Sequence, residues 1–164
     1  YPILGAVRQG TFDELGPAIQ DYRAAYRAAG HATATDQGAV YVRVPIYVAE
    51  TATEALRDPE QSIIAFYRAL GAQIEATASA PGARPEERRA ERGQRLQEIS
   101  YEETLRTKVI VGTPDQVAAR LDELRKTLGF DGILAELNCG GMISRDKVER
   151  SLRLLCEEVK PRLG

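Results

Sequence analysis

Residues 109–144, reading VIVGTPDQVAARLDELRKTLGFDGILAELNCGGMIS, constrain the fold more than any other stretch of the chain. An apolar run gives way to a capped helix, then to a second apolar run and a glycine-rich loop. That order is a β-α-β unit, and because the helix carries the chain back across the sheet, the two strands pair in parallel. In sheets built this way ligands gather in the loops leaving the C-terminal ends of the strands. Gly112, Thr113 and residues 138–144 are therefore the first places to look for chemistry.

Within this stretch Thr113 and Gln116 form a capping box, Pro114 takes the first helical position, and Val117, Leu121, Leu124 and Leu128 make the inward stripe up to Gly129. A helix start can also hold a phosphate. The cap already explains these residues, so the Gly-Thr-Pro turn is read as capping. Ile133, Leu134, Ala135 and Leu137 are nearly continuous in apolar character, as in a strand covered on both faces. Glu136 breaks that run: facing the sheet interior it would need a partner and would be a pocket candidate, whereas facing elsewhere it would be ordinary. Asn138, Gly140 and Gly141 then make a loop whose backbone could approach a planar or phosphorylated ligand, or simply turn tightly. Ser144 is expected to cap the last helix, with Val148, Leu152, Leu155 and Val159 buried and Pro161 as its stop.

The remainder repeats the plan. A short apolar run at residues 3–7 precedes Arg8, Gln9 and Gly10, and the Thr11–Glu14 capping box opens a helix over residues 12–29 with Leu15, Ile19, Tyr22 and Tyr26 on one face. Gly30 supplies its left-handed end. His31 falls where a ring can meet the last carbonyls of that helix; a lone histidine without an acidic or cysteine neighbour makes no catalytic site. Val40, Val42, Val44, Ile46 and Val48 alternate with period two, which is the clearest strand of the chain. Pro45 has no N–H and predicts a bulge or an edge there. Thr51 and Glu54 read as another capping box. Asp58-Pro59 reads as a helix restart carrying Ile63, Phe66, Tyr67 and Leu70. Residues 79–97, rich in Pro, Gly, Arg and Glu, read as a solvated helical face, compatible with a mobile excursion over an active site.

Four passages from an apolar strand through a Gly, Thr or Ser turn into an amphipathic helix imply an α/β fold with a parallel sheet, wound open or closed as a barrel. A complete (β/α)8 TIM barrel takes about 250 residues. With 164 residues and four strands, the expectation is a single incomplete domain over residues 1–164, about half a barrel, and a start at Tyr1 inside a strand suggests a fragment. The formal net charge of -2 gives no basic footprint for nucleic acid. No segment reads as membrane-spanning, and Cys139 and Cys156 fit neither a metal set nor a CxxC pair, so the expected setting is cytoplasmic with both thiols reduced.

One family resembles this pattern. Tyr1-Pro2-Ile3-Leu4-Gly5, Tyr22-Arg23 with Ala29-Gly30-His31, Tyr47-Val48-Ala49-Glu50-Thr51 with Glu54-Ala55, Val111-Gly112-Thr113-Pro114, and residues 138–142 leading to Ser151-Leu152 and Glu158-Val159-Lys160-Pro161 are similar, in order and spacing, to the C-terminal half of the bacterial luciferase-like, flavin-dependent monooxygenases. The resemblance implies reduced FMN, or in a sister branch the deazaflavin F420, at the C-terminal ends of the strands. It further implies O2 and a small organic substrate such as an aldehyde, alkane or sulfonate, a flavin reductase as supplier, and a homo-oligomer of the full-length protein. The cofactor would carry the chemistry while the protein positions it and excludes water. The family's main phosphate contacts and several catalytic side chains lie on earlier strands, so no catalytic residue is assigned here. Asn138, Gly140 and Gly141 are the candidates for lining the cofactor, and Arg8, Gln9, Glu50 and Glu136 for lining the pocket. Residues 79–97 resemble the family's mobile segment. F420-dependent oxidoreduction on the same barrel and a non-catalytic half-barrel that stabilises a partner are the alternatives.

Overall fold

The computed structural model describes residues 3–6, 10–79 and 88–163. Strands β1 (Ile3–Ala6), β2 (Val40–Val48), β3 (Ile110–Gly112) and β4 (Gly132–Glu136) form one sheet in which every pairing is parallel. Strand β2 is its centre. The N-terminal half of β2 pairs with β1 through Val40 to Arg43 and with β4 through Tyr41 to Pro45, while Ile46 to Val48 pair with β3. Each strand leads into a helix: α1 (Phe12–Ala28), α2 (Ala52–Ala76), α5 (Pro114–Leu128) and α6 (Arg145–Leu154). Helices α3 (Arg89–Glu98) and α4 (Tyr101–Thr107) are interposed between α2 and β3. The expected βα plan of a partial barrel is therefore the observed one.

Pro45 sits neither at a bulge nor on an edge strand. It stands where pairing with β1 and β4 ends and pairing with β3 begins, so the missing donor falls at a handover between ladders. One further N–H of β2 finds an acceptor off the sheet: Val48 donates to the Oγ of the fully buried Ser151 at 2.9 Å. The helix after β4 thereby completes the ladder at the C-terminal end of the central strand.

Alternation decides the core. Val40, Val42, Val44, Ile46 and Val48 pack against Phe12 and Ile19 of α1, Val117, Leu121, Leu124 and Leu128 of α5, and Leu154, Leu155 and Val159 at the chain's end. The opposite face differs along its length. At the C-terminal end of β2 Tyr47 is buried against Ala49, Ala55 and Ile143. Lower down, Leu4, Tyr41 and Leu134 are 55, 44 and 51 % exposed. The register puts Leu4 beside Tyr41 and Leu134 beside Arg43, so these side chains share one open face. β4 is thus covered on one side only, against the expectation of two.

Several local expectations are revised. Asp58-Pro59 does not restart a helix: α2 runs unbroken for 25 residues through a buried Pro59, which loses one bond to the Ala55 carbonyl. Packing of Ala55 and Pro59 against the sheet outweighs that loss. Thr51 caps α2 by accepting from the Glu54 N–H, but its hydroxyl donates to the Glu54 carboxylate, so the box is not reciprocal through the backbone. Both the Thr11–Glu14 and the Thr113–Gln116 boxes are complete. Ser144 has the backbone of a cap and makes no side-chain cap bond. Leu152 is exposed, and the buried face of the last helix is formed by Ser151, Leu154, Leu155 and Val159, with a widened turn over Leu155–Val159 and a tightened one over Lys160–Arg162 around Pro161. The His31 ring packs on Tyr26, centroids 5.5 Å apart, rather than on the helix carbonyls.

In the charged stretch the described part is a helical face in solvent. Gly93 and Leu96 of α3 turn inward onto α2. A Cβ on Gly71 would stand 2.5 Å from the Gly93 carbonyl oxygen and one on Gly93 would stand 2.7 Å from that of Gly71. The two helices touch backbone to backbone, which only glycine permits at both positions. Residues 80–87 lie outside the described residues.

Candidate functional site

Parallel strands deliver their C-terminal ends to one side of the sheet. Glu50 and Thr51 leave β2 there, Gly112 and Thr113 leave β3, and residues 137–144 leave β4. Arg8 and Gln9, expected beyond β1, lie outside the described residues.

The loop after β4 is closed by its own amide. Asn138 Oδ1 accepts from the Ile143 N–H at 3.0 Å and its Nδ2 donates to the Ile143 carbonyl at 3.1 Å. Gly140 and Gly141 both take positive φ, 90° and 74°. Beneath them lies Ser62 of α2, buried, whose Oγ donates to the Cys139 carbonyl at 2.7 Å and accepts from the Met142 N–H at 3.1 Å. A Cβ on Gly140 would fall 2.1 Å from the Ser62 carbonyl oxygen, whereas one on Gly141 would meet nothing within 4 Å. Gly140 is glycine because the loop lies on α2, and Gly141 because of its φ alone.

Glu136 does point into the sheet's open face, and it has a partner. Its carboxylate pairs with Arg43 at 2.5 Å across β2 and β4, with the Glu136 side chain 12 % exposed. Glu50 is on the rim, 3.6 Å from Arg150 of α6. The candidates are thus divided among three places: Glu136 with Arg43 inside, Asn138, Gly140 and Gly141 in one elbow on α2, and Glu50 at the rim. No hydrogen bond or ion pair among the described residues joins Glu50 to Glu136.

Sequence reasoning passed over a further constellation. Asp58, read as a helix cap, has its side chain 7 % exposed and its Oδ1 2.9 Å from Arg57 and 3.0 Å from Lys147. The Tyr47 hydroxyl donates to its other oxygen at 3.4 Å. Burial by itself would raise the Asp58 pKa, but the hydrogen bonds from Lys147 and Arg57 and their charges prevail and hold it below the ordinary value. Burial, reinforced by the neighbouring carboxylate, pushes Tyr47 up to about 12, so the phenol keeps its proton. The one available sign was Tyr47 itself, an aromatic with a polar tip at the end of the central strand. The partners come from α2 and α6, and no spacing reveals that meeting.

A family description, luciferase-like monooxygenase, matches residues 3–132. The chain belongs to the luciferase-like monooxygenase family. No curated protein sequence matches it. Among solved structures it is similar to the oxygenating constituent of 3,6-diketocamphane monooxygenase from Pseudomonas putida, in complex with FMN, at 20 % identity and TM-score 0.63, covering 98 % of this chain and 42 % of that one. It is similar to the monooxygenase RslO1 from Streptomyces bottropensis at 22 % identity and TM-score 0.58, covering 100 % and 42 %. A third likeness is to the coenzyme F420 dependent tetrahydromethanopterin reductase from Methanopyrus kandleri, at 18 % identity and TM-score 0.59, covering 93 % and 43 %. The chain spans about two-fifths of the length of these luciferase-like relatives.

A flavin is what this family brings into question, and the described residues fit it unevenly. The Asn138 amide and the space beside Gly140 are taken by the chain itself, and the helix-start donors of Thr113 and Glu54 are held by Gln116 and Thr51. The Gly141 N–H is donated to the Asn138 carbonyl and the Met142 N–H to Ser62, so what stays open is the space beside Gly141, where a Cβ would meet nothing within 4 Å. These residues can line one side of a planar ring. Around the exits of β2, β3 and β4 they make no cradle for its phosphate. Among the described residues no group of three His, Cys, Asp or Glu could hold a metal ion, and no helix is long and apolar enough to cross a membrane.

Proposed function

We propose that this chain is the C-terminal part of a flavin-dependent monooxygenase that acts on a small organic substrate with reduced FMN and O2. The observation that carries the reading is the family match over residues 3–132, on a half-barrel whose strand exits are gathered at one end. Reduced FMN, when bound, supplies the electrons that activate O2. In this reading the elbow of Asn138, Gly140 and Gly141 is the last wall of the flavin pocket, with the open space beside Gly141 facing it. Glu50 and Glu136 line the pocket, joined by Arg8 and Gln9 from the loop after β1. Leu4, Tyr41 and Leu134 form the apolar interior against which the remaining strands of a barrel close, and a flavin reductase delivers the cofactor. The family's cytoplasmic setting and homo-oligomeric state belong to the same proposal.

Reduction by F420 on the same scaffold is the second reading, favoured by the likeness to the F420 dependent reductase over 93 % of the chain. Anaerobic titration of the full-length protein with reduced FMN and with reduced F420, followed by oxygen uptake in the presence of a flavin reductase, separates the two. Tight FMN binding with reductase-supported oxygen uptake is the expected result. Preference for F420 without oxygen uptake selects the second reading, and binding of neither removes both.

A further inference from the structure

Past the exit of β1, the turn at Gly10 and Thr11, one face of α3 and Lys108 enclose a cavity of about 290 Å³ that none of the foregoing uses. Among the described residues its charged lining is unbalanced: Arg88, Arg92, Arg95 and Lys108 face Glu14 and Glu91. Both carboxylates are engaged, Glu14 with the Thr11 N–H at 3.0 Å and Glu91 with Arg88 at 2.5 Å. Arg95 leans to Glu103 at 3.4 Å, and Arg92 forms no ion pair among the described residues.

Lys108 is the unusual member. It is 4 % exposed, yet among the described residues no carboxylate forms an ion pair with it; its Nζ donates to the Gly10 carbonyl and stands 5.7 Å from the centre of the Tyr67 ring. An ammonium carries three donors, and a buried cation without a counter-ion is costly. Lys108 therefore brings a positive charge to the cavity wall, with donor capacity beyond its bond to Gly10.

We propose that this cavity binds a small oxyanion group, phosphate or sulfonate, with Lys108 donating from the floor and Arg92 and Arg95 from the rim. Leu96 and Ile99 line the same cavity and leave room for a short apolar tail. The groups acting on Lys108 set the pH dependence. Burial lowers its pKa to about 8, Glu14 and Glu103 oppose the shift and Arg95 adds to it. The protonated form grips the anion, so affinity falls as pH rises through that value and above.

Calorimetric titration of the full-length protein with inorganic phosphate and with phenyl phosphate, in the absence of any flavin, tests this. Binding is expected at pH 7.5 and weaker by several-fold at pH 9.5, an interval over which a phosphate monoester stays dianionic, its second pKa being about 6. Lys108→Met and Arg92→Gln should each weaken binding about tenfold or more, and Lys108→Met should remove the pH dependence. Arg92 is exposed, so its variant decides the matter if Lys108→Met does not fold. Tighter binding of phenyl phosphate would identify the charged end of an organic ligand, and tighter binding of inorganic phosphate a free anion. Either order supports the site. Absence of binding, or binding unchanged in both variants, overturns it. Because no flavin is present, failure here leaves the flavin proposal standing, and failure of that proposal leaves this one.

Discussion

Replacing Gly140 by alanine and, separately, Gly141 by alanine distinguishes a loop shaped by the protein from a loop shaped by a ligand. Both glycines have positive φ, and for an alanine that conformation costs about 1–2 kcal/mol. The two positions then part company. At Gly141 the new methyl meets nothing within 4 Å, so the cost ends there. At Gly140 it would lie 2.1 Å from the Ser62 carbonyl oxygen and 2.9 Å from the Ser62 Oγ. Backbone must move, at about 1–3 kcal/mol for overpacking, and the two Ser62 hydrogen bonds to Cys139 and Met142 are disturbed at about 1 kcal/mol each. The sum is roughly 4–7 kcal/mol for Gly140→Ala against about 1–2 for Gly141→Ala, a large part of a typical domain's stability of about 5–15 kcal/mol. With a urea slope of about 2 kcal/mol per molar, the unfolding midpoints of the two variants should differ by about 1 M or more. Urea titration followed by far-ultraviolet circular dichroism measures this directly. Equal midpoints would refute the reasoning. A Gly140→Ala protein with wild-type stability and impaired flavin binding would show that a ligand, not Ser62, requires the glycine.

Two other outcomes follow from buried polar groups. Ser151→Ala leaves the Val48 N–H without its acceptor at 2.9 Å and should destabilise the protein by about 1–3 kcal/mol, read from the same urea curves; Ser151→Thr should recover part of that, and an unchanged midpoint for the alanine variant would mean that the ladder is completed elsewhere. Asp58 has a folded-state pKa below its ordinary 3.8, so its stabilising effect is complete above that value and is lost as pH falls through the lower folded value. The melting temperature of Asp58→Asn should therefore lie below that of the wild type at pH 7, with the gap closing below about pH 4. A gap that stays constant with pH would assign the loss to packing rather than to the ion pairs with Lys147 and Arg57.

What could be read from the sequence depended on how local its cause was. The capping boxes at Thr11 and Thr113, the left-handed Gly129 and the alternating valines of β2 rest on neighbours within four residues, and each stands in the structure as the spacing requires. Asp58-Pro59 misled because a local rule, proline at a helix start, competed with a long-range one: α2 is held on the sheet through Ala55 and Pro59, and Asp58 answers to Lys147, 89 positions away in the chain. Val148 does pack on the Tyr47 cluster, but Leu152 is exposed because the inward place beside it is taken by Ser151, which serves the distant Val48 N–H.

The site follows the same division. That the strand exits would come to one side of the sheet was legible from the βα order, but the allocation of particular groups was not, because it depends on what α2 presents to the loop after β4. The pair Gly140 and Gly141 shows why. In sequence the two glycines are equivalent, and a ligand-binding turn and a tight structural turn would be written with the same letters. In the fold one lies against Ser62 and the other faces open space, so only one of them leaves room for a ligand beside it. The same reasoning divides the charged residues. Glu136 and Arg43 pair across adjacent strands, whereas Lys108 is buried at a cavity wall with no ion pair to a carboxylate among the described residues, Glu14 and Glu103 acting on it only through space. A carboxylate matched by its neighbour can be structural and nothing more; a buried cation on the wall of a cavity that three arginines also line is the arrangement that the proposed anion would complete.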